Sequence, residues 1–175
     1  MENNQEIFPL PEAEKKSQKP CLKTVFCASL AHYINNLATA DLIEEHYQDP
    51  TKERAIQEQT KRIHWLTRPL IEIAHEEEKT APKIKKSYSG EEFQFNPETA
   101  NQVAEEILHQ LGIPSEKGKA FETFYQRLEQ EVAGLPRTQK TLARLKRIFL
   151  GQEEAKEVDH FRVILFKEEA DKIKP

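Results

Sequence analysis

An all-α fold is predicted by three features of the 175-residue sequence. Apolar residues recur with helical period along most of the chain, and residues that start and stop helices bracket those stretches. Glycine is scarce, with only five in the chain. That scarcity disfavours β-rich folds and phosphate-cradling loops, which need glycine for turns and close backbone approach. The architecture predicted is an irregular bundle of about six amphipathic helices, with antiparallel neighbours and no significant sheet. Residues 1–19 read as a Pro-containing tail, and 20–175 as a single helical domain interrupted by a long loop at 79–95.

The elements follow in order. "IFPLP" in the tail favours a polyproline-like conformation, leaving Phe8 and Leu10 available to dock on the domain or on a partner. Pro20 opens a first helix with Phe26, Leu30, Tyr33, Ile34 and Leu37 on one face. The stripe slips after Ala38. Asp41 followed by Glu44 has the spacing of a capping box, which predicts a break and a restart there. A second helix is predicted over about 51–78, held in register by Ile56, Ile63, Leu66, Leu70 and Ile73, with a kink near Trp65 caused by Pro69.

Residues 79–95 lack a helical period and form a connection longer than compact domains commonly use. "NPETANQVAEEILHQLGIP" is the clearest helix, with Asn96 as cap, Pro97 at the first position and Gly112 as stop. Ser115 is predicted to cap the next helix, which carries Phe121, Phe124, Tyr125, Leu128 and Val132 inward. A helix over 138–150 follows. A last helix is expected after Gly151 with Val158, Phe161 and Leu165 inward, although "FRVILF" alone also suits a strand.

Composition bounds the function. The chain is 37% hydrophobic and 32% charged, with net charge -4, the profile of a strongly solvated protein. No apolar run approaches the roughly 20 residues of a membrane span. The N-terminus "MENNQEIFPLPEAEKK" lacks the basic start and apolar stretch of a secretory signal. Cys21 and Cys27 lie about 240° apart around one helix, so they cannot bridge each other. Two free, half-buried thiols predict a cytoplasmic, reducing location, including a cytosol into which the protein is delivered.

Catalytic and metal motifs are weak. Glu-x-x-His occurs as Glu72/His75, Glu106/His109 and Glu157/His160, a spacing that di-iron bundles use. Here each pair lies well away from its helix's apolar centre, so these are predicted surface groups, and neither a metal nor a cofactor is expected. No nucleophile elbow, P-loop or dinucleotide fingerprint is present. A small helical enzyme would need a site assembled in space, with His32, Asp41 and His64 as candidates. The stretch 105–121 has a helix–turn–helix outline, but its second helix mixes Glu116, Glu122 and Glu129 with its lysines and would repel phosphate.

The residues singled out lie in "GLPRTQKTLARLKRIFLG", 134–151, which holds five basic side chains and no acid. Arg137, Lys140, Arg144 and Arg147 fall within roughly 80° of one another on a helical wheel, opposite Leu142, Leu145 and Phe149. A segregated stripe of this kind suits ion pairing with acidic neighbouring helices, docking to an acidic partner, or contact with nucleic acid. The 79–95 segment adds Lys83, Lys85, Lys86 and Tyr88, followed by "EEFQF", a composition suited to a docking element with exposed aromatics. The function these features predict is a non-enzymatic helical module that docks an acidic protein partner. Nucleic-acid binding is the alternative. The closing "FKEEADKIKP" resembles the C-terminal tails of bacterial proteins exported by type IV secretion, a resemblance that implies a secreted effector.

Overall fold

The computed structural model describes residues 19–164 apart from 81–84, and of residues 77–80 the backbone alone. Five α-helices account for most of the described chain: α1 Leu22–Gln48, α2 Glu53–Thr80, α3 Pro97–Leu111, α4 Ala120–Glu131 and α5 Pro136–Phe149. The fold class is the one the sequence predicts. Among the described residues the only strands are β1 Ser87–Ser89 and β2 His160–Arg162, paired antiparallel with Tyr88 opposite Phe161.

Helix α1 is the central post. Every residue from Thr24 to Ala31 is buried, so this half has no solvent face, as a helix enclosed by neighbours requires. α2, α5, α3 and β2 all pack on it. Near its start Phe26 lies against Phe149 at the end of α5, with ring centroids 4.5 Å apart. Near its end Asp41 meets Thr138 at the start of α5. The two helices therefore run antiparallel. The predicted break after Ala38 does not occur: α1 is continuous to Gln48. Asp41 is turned to α5 instead of capping its own chain.

Helix α2 continues through Pro69 without a break. α3 matches its prediction closely, with Asn96 Oδ1 accepting from the Thr99 N–H at 2.9 Å and Gly112 left-handed at φ 70°. That turn suits glycine because a Cβ disfavours positive φ. Ser115, by contrast, caps nothing, because α4 begins only at Ala120. Its Phe121 N–H donates to Asn101 Oδ1 of α3 at 3.0 Å, so the cap comes from a neighbouring helix.

Two further expectations are corrected. The predicted last helix is absent from 152–164, where the chain passes through bends and a turn at 157–158 into β2, leaving Val158 77% exposed and Phe161 fully buried. Strand-like "FRV" wins because pairing with β1 seats Phe161 among Phe93, Phe95 and Phe149. Leu165 lies outside the described residues. Of the 79–95 segment, residues 85–95 hold more regular structure than the lack of a helical period suggests. α2 extends to Thr80, β1 follows, Gly90–Glu92 make a short 3-10 turn, and Tyr88 and Phe93 are buried. No helix among the described residues is long and apolar enough to cross a membrane.

Candidate docking cleft between α1 and α5

The side chains of α5 divide as the wheel predicts. Leu142, Leu145, Ile148 and Phe149 are buried, while Arg137, Lys140 and Arg147 are exposed. The helix begins at Pro136 without a local cap. Asp41 of α1 supplies one: its Oδ2 accepts from the Thr138 N–H at 3.0 Å and from the Thr138 hydroxyl at 2.8 Å. A carboxylate at a helix N-terminus also meets the positive end of the helix dipole. This contact fixes where α5 starts and hence where its basic stripe points.

All four residues of the predicted stripe line one cleft of about 530 Å³. Tyr33 and Leu37 of α1 form one wall, and Asp159 and Phe161 close one end. Tyr33 and Leu37, predicted as core, are only half-buried because they face this opening. The Tyr33 hydroxyl donates to the His160 carbonyl at 2.9 Å, tying α1 to β2. Partial burial, followed by the charge of Asp159, pushes the Tyr33 phenol up from its ordinary value.

Three of the four basic side chains already have acidic neighbours. Arg144 is the most committed: its guanidinium donates two bonds to the Asp159 carboxylate and one, at 2.8 Å, to Glu153. Those bonds hold the Asp159 carboxyl below the usual carboxylate range, aided by the Lys156 N–H. Glu153 is lowered as well, first by its bond from Arg147 and then by that from Arg144. Arg147 donates to Glu153 at 2.9 Å. Arg137 reaches Glu44 at 2.7 Å and Asp41 at 3.7 Å. Lys146, off the stripe, pairs with Glu129 of α4. Lys140, exposed and central to the stripe, makes no ion pair or hydrogen bond among the described residues.

The second predicted segment does not join this cleft. Lys83 lies outside the described residues. Lys85 and Lys86 are exposed at the start of β1, on the strand beyond β2, and neither lines the cleft. Tyr88 is corrected from an exposed docking aromatic to a buried one, 8% exposed, with its hydroxyl accepting from the Lys85 N–H. Phe93 packs edge-on against it. The wall residues Tyr33, Leu37, Thr141, Asp159 and Phe161 are the ones local sequence did not mark. The nearest signal in the sequence is the acidic excess of 151–175, seven acids to five bases, which supplies Glu153 and Asp159.

The spatial enzyme site is not assembled. His32 lies within hydrogen-bond distance of Asn36, and Asp41, nine residues on and so half a turn round, is turned to α5. His64 faces a different groove, with Thr39, Ile43, Tyr47 and Ile56, between α1 and α2. Among the described residues no group of three or more His, Cys, Asp or Glu side chains is placed to hold a metal ion. Glu106 of the second Glu-x-x-His pair instead binds Lys23 at 3.3 Å. The chain matches no protein-family model, no curated protein and no solved structure.

Proposed function

We propose that this chain is a helical interaction module whose α1–α5 cleft docks an acidic surface of a partner protein. The observation that carries the reading is the convergence of Arg137, Lys140, Arg144 and Arg147 on one cleft, with Lys140 making no ion pair among the described residues. Charge on a rim of this kind speeds encounter and selects partners more than it adds affinity. The half-buried Tyr33 and Leu37 in the same cleft supply area for burial. Nucleic acid is the weaker reading, because the chain carries a net charge of -4 and lacks the domain-wide positive balance that such binders show. The free thiols of Cys21 and Cys27 suit a reducing compartment, and the cytoplasm is the location proposed.

The test is affinity capture from lysate, with and without nuclease, using the wild-type chain and Lys140→Glu as baits. A protein retained by wild type, resistant to nuclease and lost with the variant supports the docking role. Capture that nuclease abolishes supports nucleic acid. Identical recovery by both baits overturns the assignment to this cleft.

A further inference from the structure

Six polar or charged residues are buried among the described ones, and five of them make side-chain hydrogen bonds. Asn35 is the sixth. It is 6% exposed, and its amide makes no hydrogen bond among the described residues. A buried amide without a partner is costly, and such a group calls for an occupant that bonds it. Asn35 lines a recess between α1 and α2, with Ile34, Ala38 and Ile63 around it. About 20 Å³ is open there, room for one water-sized group. Thr39, Leu42, Thr60 and His64 line both this recess and the α1–α2 groove, of about 450 Å³, so the recess is the inner end of that groove. At the other end Ile43 and Tyr47, 63% and 87% exposed, make an open, apolar mouth facing Ile56. No Asp, Glu, Lys or Arg lines either part.

We infer that this groove binds an uncharged, elongated apolar molecule with a hydroxyl at one end, the hydroxyl seated on the Asn35 amide. A carboxamide both donates and accepts, and a hydroxyl answers it in both senses. The Thr60 hydroxyl donates to the Ile56 carbonyl at 2.8 Å, which leaves its lone pairs as a second acceptor beside the recess. A carboxylate head is excluded on two grounds: its two oxygens exceed a space for one water-sized group, and no Lys or Arg answers its charge. An ammonium head meets no Asp or Glu. The apolar body of the molecule lies toward Ile43, Ile56 and Tyr47, along roughly 18 Å of α1. A mostly apolar groove with one placed polar anchor is the usual form of a small-molecule site. On a helical wheel Asn35, Leu42 and His46 stand opposite Tyr33 and Leu37. The site is therefore separate from the α1–α5 cleft and does not depend on the docking role proposed there.

The test uses the full chain, isotopically labelled for amide NMR, and two isomeric probes, n-octanol and di-n-butyl ether. The alcohol carries its O–H at one end, whereas the ether oxygen lies mid-chain and has no proton to donate. The expected titration shows n-octanol shifting the Asn35 side-chain amide and the Leu42 and Thr60 backbone amides saturably. It binds at least about tenfold more tightly than the ether. Asn35→Leu, which puts an apolar group of similar size in place of an unbonded amide, is expected to fold and to bind the two probes within about twofold of each other. Ile43→Glu, at an exposed position, should weaken both probes by placing charge at the mouth. Equal affinity of wild type for the two probes overturns the hydroxyl anchor, as does a preference that survives Asn35→Leu. Binding that ignores Ile43→Glu places the probe elsewhere and overturns the groove. Should Asn35→Leu not fold, the deciding readout is a nuclear Overhauser effect between the O–CH₂ protons of n-octanol and the Asn35 amide in wild type, whose absence at saturation overturns the contact. No saturable shift up to the solubility limit of n-octanol means that Asn35 holds a trapped water only, and the site falls.

Discussion

Replacing Asp41 tests the claim that α5 is positioned by a carboxylate from another helix. Asp41 is 5% exposed, and Thr138, which donates two bonds to it, is fully buried. Asp41→Ala strands a buried N–H and a buried hydroxyl, at about 1–3 kcal/mol each. It also removes negative charge from a helix N-terminus, a further contribution of roughly 0.3–1 kcal/mol. The expected loss is about 3–5 kcal/mol in urea unfolding, on the order of 10 °C in melting temperature. Asp41→Asn should cost less, about 1–2 kcal/mol, since one amide oxygen still accepts from Thr138 while its NH₂ faces the Arg137 guanidinium. Thr138→Val in the wild-type background should cost about 1 kcal/mol, because the N–H bond survives. In a double-mutant cycle Asp41 and Thr138 should be coupled. A loss below about 1 kcal/mol for Asp41→Ala would refute the reasoning, since no buried cap would then be in place.

Other outcomes follow from local geometry. Gly90→Ala should destabilise the fold by about 1–3 kcal/mol, readable as a lower urea midpoint, since its Cβ would fall 2.7 Å from Ala155 Cβ and 3.1 Å from the Asp159 carbonyl. Asp159 and Glu153 have folded pKa values depressed by Arg144 and Arg147. Their stabilisation is present above the unfolded value near pH 4 and is lost as pH falls through the folded value. Wild type should therefore lose stability below about pH 4 more steeply than Asp159→Asn in a pH series of unfolding curves. Cys21 is exposed and Cys27 fully buried, with burial pushing the Cys27 thiol well up. A thiol reagent should thus label one cysteine at once and the second only on unfolding.

The legible parts of the fold are those encoded within one turn of helix. α3 carries its cap Asn96 and its first-position Pro97 side by side and its stop Gly112 directly after its last turn, and the structure places all three as expected. The starts of α4 and α5 were less legible because their caps, Asn101 and Asp41, come from other helices. Asp41 was misassigned for the same reason: the spacing to Glu44 fits a local capping box, yet both acids face Arg137. At the C-terminal end, periodicity favoured a helix over 152–165. Pairing with β1 and the aromatic cluster around Phe161 overrode it, and neither shows in a local window. The basic stripe itself was plain from the wheel. Its partners were not, since charge on α5 is answered by α1, α4 and the segment after Gly151.

The ladder between β1 and β2 also bears on the order of assembly. α1 with α2, and α3 with α4, are neighbours in sequence and pack heavily on each other. The two strands lie on opposite sides of α3, α4 and α5 in the chain. A contact that closes so large a loop contributes nothing until the intervening helices are placed. The strands are therefore expected to join late, so that in pulse-labelled refolding the amides of β1 and β2 gain protection after those of α1 and α2. Asp159 and Phe161, which wall the basic cleft, arrive with them. On that order a partly folded chain would display the positive residues of α5 before Asp159 and Phe161 complete the recess beside them.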